Sequence, residues 1–496
     1  MESLFGLEVL LAVLILILYM LSAQWLENKA CEYFHETNIA IGLGALCGVG
    51  VYMFTGGEKI VFSTGIFFYF VLPPIIFAAG YNLKSRLFFI NLGFISLYGF
   101  LGTFLSFVTI GALGVFFNAN GALSETDSLS TKEILLLSCV LSATDTVAAI
   151  SVVKETKYPR LNSILFGEGV INDAVSIVLY RTVEGMGDEF GLWEGVMLVI
   201  SFVYTTCLSI FIGFGSGLAT AWIIKNMKEL KEHPERETTL IILGGYVSYI
   251  VSELLGLSGI MTIFCCGIAL SHYAWFTLSK ESQQGTSLVF TVLSQGAEAF
   301  TFTYLGMTIT TIDWEDWNIL LLVCMFVAMA LGRAASILIS SALVYLIQCG
   351  HFGLDTKNIC VAWFSGIIRG AIAFALVLQV ESEHQNVLIS TTLGIAIVTT
   401  VGLSNLMGPY TRFVGLEAKP SQEIYFELMS QTANTDDSIY SQQLEEIGLS
   451  WFHMKWQKFD EKYLKPRFGG EEKAPLEKSV WDKLWAEDEV EINKLG

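Results

Sequence analysis

The sequence predicts an all-α polytopic membrane protein of about thirteen transmembrane helices, and three observations carry that prediction. The 496-residue chain is 53% hydrophobic and only 15% charged, too little charge to cover a soluble surface of that size. Its mean hydropathy is +0.58, and apolar runs of about 17 to 30 residues recur along nearly the whole length. Charged side chains nevertheless stand in the middle of some of these runs. A charge at bilayer depth costs several kcal/mol and needs a partner or a water-filled cavity.

The runs fall near 4–25, 38–55, 60–79, 88–117, 132–153, 161–181, 192–224, 238–255, 257–276, 286–311, 317–349, 357–380 and 386–412. The first has no basic segment ahead of it and no small-residue cleavage site, so it is expected to be a retained span. The boundary between the eighth and ninth rests on the short break Leu255 to Leu257. An odd number of spans puts the termini on opposite sides. Lys29, Lys84, Arg86, Lys154, Lys157, Arg160, the basic loop Lys225 to Arg236, Lys280 and Lys357 then share one side with the tail, against Lys59, Lys132 and Arg181 opposite. The positive-inside rule therefore places the C-terminal tail in the cytoplasm.

Two spans carry a charge where the helix is weakest. Ser142-Ala143-Thr144-Asp145-Thr146 interrupts the fifth, and Gly366-Ile367-Ile368-Arg369-Gly370 the twelfth. Irregular backbone is tolerated at that depth only where protein or a cavity satisfies it. In a scheme of two six-span halves joined by span seven, these two correspond. That is the pattern of a transporter with inverted repeats whose broken helices cross near the midplane.

The sixth span holds Leu165 to Tyr180, with Glu168, Asn172 and Asp173. On a helix Glu168 and Asn172 share a face, and Asp173 is turned away by about 140°. Asp173 offers a hard oxygen ligand able to hold a proton or a small cation. Asp145 adds a second carboxylate, and Thr144 a hydroxyl and a carbonyl. Oxygen ligands suit Na+ or K+ and not transition metals, and no cofactor beyond the transported ions is expected. Glu168 needs a counter-charge, for which Arg369 is the candidate. A buried pair that only fixes packing is the competing reading for a lone acid, and it accounts poorly for three acids, an Asn and an Arg together.

Beyond Arg412 the composition changes, which divides the chain into a membrane domain, 1–412, and a tail, 413–496. The segment Glu417 to Thr435 is polar, an amphipathic helix is expected around 441–465 with Trp451, Trp456 and Phe459 on it, and Glu487 to Glu491 reads as a solvated acidic run. Much of the net charge of -19 belongs to this tail, so it says little about the transported ion and makes nucleic acid an unlikely partner. The nine cysteines show no metal-ligand spacing and read as free packing residues.

Six stretches in order resemble the motifs of eukaryotic sodium/proton exchangers, the NHE and NHX monovalent cation:proton antiporters. They are LPPIIFAAGY from Leu72 to Tyr81, ATD from Ala143 to Asp145, FGEGVINDA from Phe166 to Ala174, SGIM from Ser258 to Met261, EAFTFTYLGM from Glu298 to Met307 and IRGAIAFAL from Ile368 to Leu376. WQKFDEKYLKP, Trp456 to Pro466, looks like the endosomal and vacuolar branch. An endosomal or vacuolar membrane is therefore favoured, with the plasma membrane as the other possibility.

The resemblance implies a homodimer in which a dimerisation domain supports a core domain that moves as an elevator, on an NhaA/NhaP-like fold. It implies that Asp173 binds the ion and the proton, that Asn172, Asp145 and Thr144 complete the site, and that Glu168 pairs with Arg369 structurally. In the family, Asn rather than a second Asp at the position of Asn172 goes with electroneutral exchange, which implies exchange of one Na+ or K+ for one H+. In the family the region matched by Pro73, Pro74 and Phe77 lies near the cavity where amiloride-type inhibitors act, and Glu298 and Arg333 are further cavity candidates. Membrane lipids, and a cytoplasmic regulatory protein on the tail, are the partners expected. Gly169 departs from forms that read GES: either water replaces the missing hydroxyl or coordination is looser, which leaves Na+ against K+ open. A cation channel, or an intramembrane aspartyl-type enzyme built on Asp145 and Asp173, remain as alternatives.

Overall fold

The computed structural model describes residues 13–24, 36–55, 64–83, 88, 91–121, 129–154, 157–187, 191–310, 312, 314–347, 354–416, 456 and 459–469. The expected segments 4–12, 417–435, 441–455 and 487–491 lie outside these residues, as do Lys29, Lys59, Lys84 and Arg86.

All regular structure among the described residues is helical. In chain order it comprises α1 (Val13–Gln24), α2 (Glu36–Thr55), α3 (Phe67–Tyr81), α4 (Leu92–Ala119), α5 (Thr131–Ser142), α6 (Val147–Val152), α7 (Pro159–Glu184), α8 (Leu192–Asn226), α9 (Pro234–Leu254), α10 (Gly259–Thr277), α11 (Lys280–Thr308), α12 (Ile319–Ile347), α13 (Thr356–Ser365), α14 (Ala371–Val377) and α15 (Gln385–Val414). Seven helical segments, counting α5 and α6 as one, are long and apolar enough to cross a membrane, and α1, α2 and α3 contribute shorter apolar helices.

Local sequence explains most of the ends. Ser130 and Glu133 form a reciprocal cap on α5, satisfying two of the amides a helix start leaves free. The predicted break before α10 is real and is made by Gly256 at φ +69°, a left-handed conformation that side chains resist. Ser258 then caps α10 at Met261 N, and Glu253 receives Gly259 N at 3.0 Å.

Burial separates two kinds of helix. α7 and α10 are each 83% buried over their apolar windows, whereas α8 is 22% buried. The first pair therefore forms the interior, and α8 turns Ile200, Tyr204 and Phe211 outward. Contacts at the two ends keep to an alternating course. The end of α7 meets the end of α9 through Arg181 and Glu253 at 2.8 Å, and the start of α5 meets the loop before α15 through Glu133 and His384 at 3.1 Å.

The described part of the tail, 459–469, docks at the opposite end of the bundle. Asp460 receives the Tyr273 hydroxyl at 2.6 Å and lies 3.0 Å from His272 Nε2. Lys225 at the end of α8 donates to Pro466 O at 2.7 Å. Burial alone would raise the Asp460 pKa, but the hydrogen bonds from His272 and Tyr273 outweigh it and hold the carboxyl below its usual range.

Candidate ion-binding site

α5 ends at Ser142 and residues 143–146 run on without helix, and α13 ends at Ser365 with 366–370 doing the same. The two interruptions meet: Asp145 N donates to Ile368 O at 2.9 Å. Gly370 lies directly against the Asp145 carboxyl, where a Cβ would come within 2.7 Å of Cγ. Asp145 Oδ1 accepts Val147 N at 3.0 Å and so starts α6. The same short polar residues that weaken a helix interior thus supply the bonds that end one half-helix and begin the next.

α7 runs past this crossing. Its Asn172 is 1% exposed and is held on both sides, with Nδ2 donating to Thr144 Oγ1 at 2.9 Å and Oδ1 bonded to the Thr103 hydroxyl of α4. Thr103 Oγ1 also lies 2.5 Å from Gly99 O. Asn172 is therefore a buried strut between α4 and the crossing, with both ends of its amide engaged.

Asp173 points elsewhere, as the helical period requires. It is half-buried, like Asp145, and among the described residues its carboxylate has no hydrogen bond and no ion pair. The charges near enough to act on it are Asp145, then Arg369 and Glu298.

Glu168, 1% exposed, is paired with Arg333 of α12 and not with the expected Arg369. Arg333 Nη2 also donates to Ala362 O at 2.8 Å. Arg369 turns back on its own segment, giving Nη1 to Gly366 O at 2.7 Å, while its backbone amide donates to Thr399 Oγ1 at 3.0 Å. The physical reason lies in the broken helix. Ending α13 inside the protein frees its last carbonyls, which must find donors, and Arg369 supplies one at Gly366 O. Gly366 leaves the room that the Arg333 guanidinium fills on its way to Glu168, since a Cβ there would collide with Arg333. Both arginines therefore serve the C-terminal end of α13, and one of them neutralises Glu168.

The remaining candidates are placed less centrally. Phe77 is buried in an aromatic cluster, 4.3 Å from the Phe290 ring and stacked on Tyr81 at 5.7 Å. Pro73 and Pro74 stand at the start of the regular part of α3, just after a wide turn over Phe67–Val71, a place that tolerates a missing amide. Glu298 is half-buried and receives Ser294 Oγ at 3.0 Å. At Gly169 the space that a side chain would enter is occupied by the side chain of Thr146. Thr103 and Thr399 were not legible as site residues, because nothing in an apolar run says which threonine meets which partner.

A family model described as "Sodium/hydrogen exchanger, transmembrane" matches residues 7–410. Sodium/hydrogen exchanger 1 of rice, Oryza sativa subsp. japonica, is 31% identical, covering 91% of this chain and 90% of that protein. An endosomal/prevacuolar sodium/hydrogen exchanger of Saccharomyces cerevisiae is 31% identical over 79% of this chain and 65% of its own length. Among solved structures, the sodium proton antiporter MjNhaP1 of Methanocaldococcus jannaschii superposes with a TM-score of 0.62 at 20% identity, over 84% of this chain and all of that one.

Proposed function

The chain belongs to the sodium/hydrogen exchanger family, whose members are transporters and not enzymes, and on that premise we propose that it exchanges Na+ or K+ for H+ across a membrane at Asp173. The observation that carries the reading is the carboxylate itself. Asp173 lies on a helix inside an apolar bundle, beside the crossing of two interrupted helices, and has no hydrogen bond or ion pair among the described residues. A half-buried acid in apolar surroundings, without a partner, is costly as an anion, and a bound proton or cation relieves that cost. Those are the two cargoes of an exchanger.

In this reading the occupied states alone cross the barrier, because moving an uncompensated carboxylate through it is too costly. Protonated Asp173 returns one way. Deprotonated Asp173, with Asp145 and the Thr144 oxygen, carries the cation the other way. Asn172 orients Thr144 and adds no charge, so one cation replaces one proton and exchange is electroneutral. The moving body would be the crossed-helix core, working as an elevator against the remaining helices of a homodimer. An endosomal or vacuolar membrane, with the tail in the cytoplasm, is the location proposed, and the name of the yeast relative supports it. Neither a cation channel nor an aspartyl enzyme has support among the relatives.

The test uses proteoliposomes carrying a pH dye, to which Na+ and then K+ are added with and without a clamped membrane potential. Wild type should move protons opposite to the flow of cation down its gradient, regardless of voltage, and Asp173→Asn should be silent. Flux that follows voltage, or survives the substitution, refutes the assignment.

A further inference from the structure

Thr146 ends the extended chain between α5 and α6 and occupies the cap position of α6, yet its side chain makes no cap bond. A threonine there ordinarily gives its oxygen to the first free amides of the helix. Here Asp145 Oδ1 already takes Val147 N at 3.0 Å, and the Thr146 hydroxyl is turned the other way, onto α7 at Gly169. A Cβ on Gly169 would fall on Thr146 Oγ1 and within 2.8 Å of its Cγ2. The glycine is what lets the hydroxyl reach that helix. Thr146 is 8% exposed, and among the described residues its hydroxyl has no hydrogen-bond partner.

The position of this oxygen relative to the carboxylates follows from the helix. Gly169 and Asp173 are four residues apart and so share a face, with Cβ positions about 5–6 Å apart. Asp145 is the chain neighbour of Thr146. An uncommitted hydroxyl oxygen therefore stands one turn along the face from Asp173 and one residue from Asp145.

We propose that Thr146 is a cation-specificity residue, its hydroxyl oxygen supplied by the crossing segment as a neutral ligand to the alkali cation held by Asp173 and Asp145. The inference rests on Asp173 being the exchange site. A hydroxyl adds an oxygen without adding charge, so it acts on the cation and leaves proton binding at the carboxylate almost untouched. Na+, with its higher charge density, gains more from an added ligand of this kind than K+, since selectivity among alkali cations follows the number and field strength of the coordinating oxygens.

The experiment compares wild type with Thr146→Val, Thr146→Ala, Thr146→Ala/Gly169→Ser and Asp173→Asn in the same pH-dye proteoliposomes, reading KM for Na+ and for K+ at two pH values, with melting temperature as a check on folding. Valine keeps the shape of threonine and removes the hydroxyl. The KM for Na+ should rise about tenfold in Thr146→Val, the worth of one good ligand. The KM for K+ should rise less, and the pH dependence at saturating cation should not move. In Thr146→Ala/Gly169→Ser the serine enters the space that Thr146 leaves and should recover most of the Na+ affinity lost in Thr146→Ala. That recovery carries the test if the valine variant does not fold. Wild-type KM values in Thr146→Val, or no recovery in the double variant, overturn the inference while Asp173→Asn is silent. Exchange by Asp173→Asn instead overturns the site assignment on which it rests.

Discussion

Replacing Arg333 by Ala should cost the protein far more than replacing a surface arginine, and Glu168→Gln should restore most of what is lost. Glu168 is almost wholly buried and has Arg333 as its ionic partner. Removing one member of a buried pair costs about 3–5 kcal/mol, most of it the uncompensated charge left behind. The substitution also strips the 2.8 Å bond from Ala362 O, worth about a further 1 kcal/mol. With an unfolding entropy of about 2 cal/mol/K per residue over some 400 residues, the loss corresponds to a fall in Tm of about 5–8 °C. The assay is thermal melting of detergent-solubilised protein, followed by size-exclusion chromatography. Glu168→Gln/Arg333→Ala should recover all but the 1 kcal/mol of the lost backbone bond, whereas Glu168→Gln should do nothing for Arg369→Ala, because Arg369 serves Gly366 O and not Glu168. Rescue of the Arg369 variant and not of the Arg333 variant would falsify the pairing and reinstate the one expected from the sequence.

Two further outcomes follow from the same geometry. Thr103→Val leaves the buried Asn172 oxygen without its donor, a penalty of about 1–3 kcal/mol; exchange should slow roughly tenfold while Thr103→Ser stays close to wild type in the dye assay, and equal rates in the Val variant would show that Thr103 does not position Asn172. At the tail, Asp460→Asn weakens the bonds to His272 and Tyr273, and amide hydrogen exchange over 459–469 should speed up about tenfold. The pH dependence has a definite sign. Because the docked Asp460 titrates below the free carboxyl value of about 3.9, its contribution to docking is full above that value and is lost as the pH falls through the lowered one. Protection of the amides over 459–469, measured against their intrinsic exchange rate at each pH, should therefore be flat near neutrality and fall in acid, and a loss of protection centred near pH 7 would point to another group.

Much of this architecture is legible along the chain because a bilayer imposes a linear code. Apolar length, broken by Gly256 or by a charged loop, sets where a helix begins and ends, and the two interruptions lie where Thr144, Asp145 and the glycines flanking Arg369 weaken the helix. The separation of Asp173 from Asn172 also needs only the 3.6-residue period. The Arg333 pairing could not be read the same way. Glu168 has two arginines within its class of partners, and only the packed bundle shows that Arg333 is the one that reaches it.

The sequence by itself determined the class, the rough limits of the apolar runs, and the acids and hydroxyls that populate the crossing. Tertiary structure alone decided the partners: Arg333 on Glu168, Thr103 on Asn172, and Thr146 in the space above Gly169. The physical reason is range. Hydropathy and helical period act between residues a few positions apart, whereas the bonds that complete this site join residues 28, 69 and 165 positions apart, and only the packed bundle brings those together.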